Sequence, residues 1–242
     1  MKHIKTYKIF ESTSPKFPTT REEVMQVCEK YYITRYTIND DLSIDVDDNV
    51  NLTLYSLEYL PLKFNYVAGF FVCTENNLKT LEGCPQTVDG FFDCSHNNLK
   101  TLEGSPQTVG GHFFCLENEL ITLEGSPQTV DGDFYCFDNN LVSLEGCPQT
   151  VDNFDCSDNK LRDLEYFPEV SGDVYTEENT VNLLVYTFIK NADNFMIEDF
   201  NDYEIVRNRD TVMLDRLQTF IKDNDLQMPD LEEIKKHYKI IE

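Results

Sequence analysis

The chain has 242 residues and a formal net charge of −24, of which about −14 falls between residues 51 and 172. An acid field of this size repels nucleic acid and anionic membrane, favours a basic partner, and also keeps an elongated protein soluble. No apolar run reaches membrane-spanning length, and MKHIKTYKIF lacks the apolar core of a secretory signal, so the expected site of action is the cytoplasm.

Residues 1–19 carry no periodicity. From Thr20, TREEVMQVCEKYY offers an N-cap, acids in the first turn, and Val24, Val27, Cys28 and Tyr31 at helical spacing, which predicts a helix. ITRYTI, LSIDV and VNLTL alternate like short strands and are joined by the turns Asn39-Asp40-Asp41 and Asp47-Asp48-Asn49. Residues 1–49 thus read as a helix-and-strand cap over the open edge of a stacked core. The acids of IDVDDN lack calcium-loop spacing and read as turns.

Between residues 50 and 172 the chain is a solenoid of about six coils. Five copies, GFFVCTENNLKTLEGCPQTVD, GFFDCSHNNLKTLEGSPQTVG, GHFFCLENELITLEGSPQTVD, GDFYCFDNNLVSLEGCPQTVD and NFDCSDNKLRDLEYFPEVSG, begin at Gly69, Gly90, Gly111, Gly132 and Asn153. Their F-x-C-x-x-N-x-L-x-x-L pattern matches a leucine-rich repeat with Phe and Cys in the first two apolar slots. Phe71, Phe92, Phe113, Phe134 and Phe154 should point inward with Cys73, Cys94, Cys115, Cys136 and Cys156, on stacked parallel strands. Asn76, Asn97, Asn118, Asn139 and Asn159 should form an asparagine ladder that satisfies backbone groups outside the sheet. Leu78, Leu99, Leu120, Leu141 and Leu161, then Leu81, Leu102, Leu123, Leu144 and Leu164, fill the coil behind. The prolines from Pro85 to Pro168 exclude a continuous helix on the return side, leaving extended chain or a tight helical turn. Val50, Leu52, Leu57, Leu60 and Val67 stand 21 residues before Phe71, Cys73, Leu78, Leu81 and Val88, so a degenerate first coil starts near Val50.

Five of the eight cysteines repeat at one inward slot, Cys84 and Cys147 alternate with Ser105 and Ser126 in the return loop, Cys28 lies in the first helix, and none forms a C-x-x-C pair, so neither disulfides nor a metal site is expected, and no cofactor motif is present. Glu82, Glu103, Glu124, Glu145 and Glu165 form an acidic column on the return side that could take cations weakly. After Gly172, residues 173–242 turn to helical spacing in VNLLVYTFIKNA, NFMIEDFNDYEIV, DTVMLDRLQTFIKDN and MPDLEEIKKHYKII, the last with Pro229 at an N1-like position. They read as an α-helical C-terminal cap. The whole is an α/β-type repeat solenoid, right-handed, with a parallel sheet on its concave face.

If Phe and Cys point in, the residues flanking them face out. There the copies differ: Phe70, Phe91, His112, Asp133 and Asn153 before Phe; Val72, Asp93, Phe114, Tyr135 and Asp155 after it; Thr74, Ser95, Leu116, Phe137 and Ser157 after Cys. Phe114, Leu116, Tyr135 and Phe137 make an apolar patch bordered by Glu117, Asp133, Asp138 and Asp155. An aromatic patch with a charged rim is the anatomy of a binding hot spot. Partner-binding candidates are therefore Phe70, Phe91, Asp93, His112, Phe114, Leu116, Asp133, Tyr135, Phe137 and Asp155.

Together, the F-x-C-S-x-N-x-L-x-x-L-E-G-x-P repeats, IDVDDNVNL from Ile44 and LDRLQTF from Leu214 resemble leucine-rich repeat proteins encoded by tailed bacteriophages, over residues 33–221. The resemblance implies expression inside an infected bacterium and carries no activity to transfer. The L-E-G-x-P segment also looks like the L-P-x-L-P repeats of secreted bacterial effectors, but no cysteine follows Cys156 to supply their catalytic nucleophile. The function expected is a non-enzymatic scaffold that binds a protein partner, one with a basic or apolar surface, as a monomer or weak homodimer. It could act by inhibiting or redirecting a host protein. The alternatives are a virion structural or accessory protein, and an enzyme working from the C-terminal segment.

Overall fold

A computed structural model of the chain describes residues 17–161, 165–176, 178–179, 203–207, 211–235 and 238–241. Each repeat supplies two short strands, and these pair with their counterparts in the neighbouring coils, except that the return-side ladder is interrupted between Thr129–Val130 and Thr150–Val151. One sheet, here the Phe sheet, runs in chain order through Val50–Asn51, Phe71–Val72, Phe92–Asp93, Phe113–Phe114, Phe134–Tyr135, Phe154–Asp155 and Val174–Tyr175. All its pairings are parallel, and Val50 lies opposite Phe71 as the 21-residue offset requires. The molecule is a parallel-strand β-solenoid.

The return side settles the alternative left open by the prolines, because it is extended. Phe64–Val67, Thr87–Val88, Thr108–Val109 and Thr129–Val130 form a second parallel ladder, the Val sheet. Thr150–Val151 and Glu169–Val170 pair in the same way further on. Ile44–Val46 joins the Val sheet in parallel, and Tyr36–Ile38 lies antiparallel on its edge. Helix Arg21–Lys30 starts at Thr20, whose hydroxyl accepts from Glu23 N, and it buries Val24 and Cys28 in the same core as the coils.

Inside, like stacks on like. Phe71, Phe92, Phe113 and Phe134 are fully buried, with ring centroids 5.5, 5.4 and 5.1 Å apart and planes within 16°. Into the shortened copy the step from Phe134 to Phe154 opens to 6.0 Å and 33°. Phe64 and Phe167 close the two ends of the column edge-on. The cysteine, leucine and valine columns are buried beside it, Leu164 lying outside the described residues.

The asparagine ladder is present and reaches one coil further than the five copies. Asn97 Nδ2 donates to Cys94 O and Ser95 O of its own coil and to Cys73 O of the coil before, while Oδ1 accepts from Leu78 N. Asn76, Asn118, Asn139 and Asn159 repeat this arrangement. Asn179 continues it, accepting from Leu161 N and donating to Cys156 O and Thr176 O. Thr176 therefore stands where the copies have Cys, and the solenoid extends past Gly172.

Leu-Glu-Gly-Cys/Ser closes each return as a type II turn, with Cys84 N, Ser105 N, Ser126 N and Cys147 N bonded to the Leu carbonyl three residues back. The third residue needs positive φ, and Gly104 and Gly125 both have φ +88° with the preceding coil's backbone against the Cα, so no side chain fits. In the last copy Tyr166 holds that conformation at φ 65°, with its ring exposed.

All eight cysteines are free. Burial raises the Cys94, Cys115 and Cys136 thiols well above their ordinary range, and that of Cys28 to about 11. Cys73, Cys94, Cys115, Cys136 and Cys156 should therefore label with a thiol reagent only after denaturation. Rapid native labelling of all five would contradict the inward register.

The C-terminal segment is not purely helical. Val206–Arg207, Thr211–Met213 and Lys239–Ile241 form a three-stranded sheet beside helices Leu214–Asp223 and Leu231–Ile234. The predicted helix over MPDLEEIKKHYKII shortens at both ends: Asp230 is the N-cap, accepting from Glu232 N, so Pro229 lies outside the helix rather than at N1, and the β-branched end at Ile240 and Ile241 pairs as strand. Ile205, Val212, Leu217, Phe220, Ile221, Ile234 and Tyr238 pack in a cluster of their own. The stretch VNLLVYTFIKNA and most of NFMIEDFNDYEIV lie outside the described residues.

Candidate functional site

The outer face of the Phe sheet carries the residues at which the copies differ. With successive coils about 4.8 Å apart, side chains at equivalent positions touch their neighbours. Phe70 stacks on Phe91 at 4.9 Å and 20°, Phe91 meets Phe114 edge-on at 6.1 Å, and Phe114 stacks on Tyr135 at 5.3 Å and 20°. The four rings make one continuous row across the coils from Phe70 to Tyr135. Each is half-buried by its neighbours rather than fully exposed, so the row is a pre-ordered surface. Leu116 and Phe137, also half-buried, succeed one another on neighbouring coils, where Glu117 N donates to Phe137 O.

The polar candidates divide by what they hold. Asp133 Oδ1 accepts from Asn153 N and from Asn153 Nδ2, and Oδ2 accepts from the Tyr135 hydroxyl at 3.0 Å. Partial burial alone would raise this carboxyl, but the donors from Asn153 and Tyr135, with His112 close by, outweigh it and hold it below the usual carboxylate range. Burial, then the bond to Asp133, pushes the Tyr135 phenol up to about 12. His112 Nδ1 accepts from Asp133 N at 3.0 Å and lies 3.1 Å from Asp133 Oδ2. The two contacts alternate, since Nδ1 accepts from Asp133 N only without a proton and donates to Asp133 Oδ2 only with one. Asn153 Oδ1 accepts from Asp173 N, and Asn49 Oδ1 from Phe70 N. Where the position before Phe is polar, its side chain thus bonds the backbone of the next coil. Asp93 and Asp155 fold back onto Ser95 N and Ser157 N. These six polar side chains, Asn49, Asp93, His112, Asp133, Asn153 and Asp155, shape the surface, while the rings present it.

Two features are not evident from the sequence alone. Tyr175, exposed, extends the position of Phe114, Tyr135 and Asp155 into the next coil; its signal is the 20-residue step from Asp155. The second feature is a column along the C-terminal edge of the sheet: Glu75, His96, Glu117, Asp138, Asp158 and Glu178, all with φ between 50° and 54° and all exposed. His96 Nδ1 lies 2.9 Å from Glu117 Oε2 within it.

Among the described residues no group of three or more His, Cys, Asp or Glu is arranged to hold a metal ion, and no helix is long and apolar enough to cross a membrane. The glutamate column of the return side is exposed at every coil. Compared with known proteins, the chain matches no family model, no curated protein and no solved structure at a significant level.

Proposed function

We propose that the chain is a non-enzymatic, leucine-rich-repeat scaffold that binds a protein partner on the concave, outer face of its Phe sheet. The observation that carries this reading is the row Phe70, Phe91, Phe114 and Tyr135: the core is complete without these rings, yet they are held in order at the surface. Aromatic side chains ordered before binding lose little entropy on contact and supply large apolar area. The face offers rows of like groups rather than a convergent acid, base and nucleophile, which suits recognition better than catalysis. The resemblance to phage-encoded repeat proteins supports a setting in the cytoplasm of an infected bacterium, with a host protein as the partner.

Phe114→Ala combined with Tyr135→Ala tests the face. The wild-type chain, immobilised and exposed to extract of infected cells, should retain a partner identifiable by mass spectrometry. The double variant should lose it and still melt cooperatively, with stability lowered by about 1–2 kcal/mol from the half-buried apolar area removed. Retention of the same partner at unchanged affinity would move the binding face elsewhere.

A further inference from the structure

The acidic column and the aromatic row run side by side across the same coils, and the two together restrict what can dock. In the last three strands of the Phe sheet the outward residue and the column residue stand three apart: Tyr135 with Asp138, Asp155 with Asp158, and Tyr175 with Glu178. In the earlier coils the same spacing sets Val72 with Glu75, Asp93 with His96 and Phe114 with Glu117, and the rings there are the phenylalanines Phe70, Phe91 and Phe114. The face therefore grades from a phenylalanine-bearing end with fewer acids, Glu75, Asp93 and Glu117, to a tyrosine-bearing end with more, Asp133, Asp138, Asp155, Asp158 and Glu178, on a chain of net charge −24.

Resting on the scaffold reading above, we propose that the occupant of this face is an amphipathic α-helix of the partner, with apolar residues over Phe91 and Phe114 and lysine or arginine over Asp138, Asp155, Asp158 and Glu178. Charge complementarity sets the cations, because carboxylates beside tyrosine rings offer an ion pair and a cation–π contact to one side chain. Spacing sets the helix. Coils repeat at about 4.8 Å, and a helix advances about 5.4 Å per turn, so one turn meets one coil and the mismatch over four coils stays near 2.4 Å. An extended segment presents same-side residues about 6.8 Å apart and falls out of step within two coils.

Two synthetic peptides of one composition, each carrying a tryptophan that the chain itself lacks, test this. One is stapled as a helix with two apolar turns followed by two lysine-bearing turns; the other orders the same residues at period two. Fluorescence anisotropy should show binding of the stapled peptide with a steep salt dependence and little binding of the other. Asp138→Asn with Asp158→Asn should weaken the stapled peptide about tenfold and flatten its salt dependence, since asparagine keeps the left-handed backbone and removes only the charge. Phe91→Ala with Phe114→Ala should abolish binding. Equal affinity for both peptides, or unchanged affinity and salt dependence in the Asp-to-Asn variant, overturns the helix. So does failure of both peptides to bind. If infected-cell extract still yields a partner that Phe114→Ala/Tyr135→Ala loses, the face stands and only the helix falls; if that partner is retained, the face itself is wrong.

Discussion

Replacing Phe113 by alanine should destabilise the protein by about 3–5 kcal/mol, measured by urea unfolding, as the largest single-site loss in the apolar core. Phe113 is fully buried, and its ring is held between Phe92 at 5.4 Å and Phe134 at 5.1 Å. Removing it leaves a ring-sized void that the flanking rings cannot close without breaking their own strand register, because Phe113 pairs in register with both Phe92 and Phe134. Hydrogen exchange should quicken at Phe92 N and Phe134 N and fade toward Val50, since each coil touches only its neighbours. A uniform rise in exchange along the chain would mean that the solenoid unfolds as one unit.

A second large effect is expected at Asn118, where shape can be kept while chemistry is inverted. Its Nδ2 donates to Cys94 O, Cys115 O and Leu116 O, and its Oδ1 accepts from Leu99 N at 3.0 Å. Asn118→Asp keeps the acceptor and replaces the donor with an anion facing three carbonyl oxygens at a buried site. Such a group is driven toward its neutral form, so its folded pKa lies above the unfolded value of about 3.9. The penalty is therefore smallest below pH 4 and grows as pH rises through that value, reaching about 3–5 kcal/mol near pH 7. The difference in stability between variant and wild type, measured at pH 4 and pH 7, checks this. A difference independent of pH would show the carboxylate reaching water.

Much of this arrangement is legible in the sequence because repetition averages out local ambiguity. A lone Phe-x-Cys says little, but five copies at one spacing fix the inward columns, and the offset of Val50 from Phe71 fixes the register of a coil with neither Phe nor Cys. What stays hidden depends on contacts between coils. Thr87–Val88 is too short to announce a strand, and becomes one only because Thr108–Val109 lies against it. Asn179 is masked by Val174 and Thr176 in the Phe and Cys slots, although its hydrogen bonds are those of Asn159. On the outer face of the Phe sheet, strand alternation places the residues flanking Phe and Cys on one side. It does not tell that His112, Asp133 and Asn153 reach forward to the next coil's backbone, since that depends on the distance between chains rather than on the order of residues.

The asparagine bonds also make the two ends of the stack unequivalent. Leu78 N, Leu99 N, Leu120 N and Leu141 N each find their acceptor in the coil that comes after them in the chain, at Asn97, Asn118, Asn139 and Asn159. A newly made coil therefore remains chemically incomplete until its successor leaves the ribosome, and the growing front always carries a buried donor awaiting its partner. Loss of a first coil takes one acceptor from the next asparagine's Nδ2, which keeps carbonyls of its own coil, whereas loss of a last coil strands a backbone Leu N–H outright. The stack should thus assemble in the direction of synthesis and resist erosion from its two ends unequally.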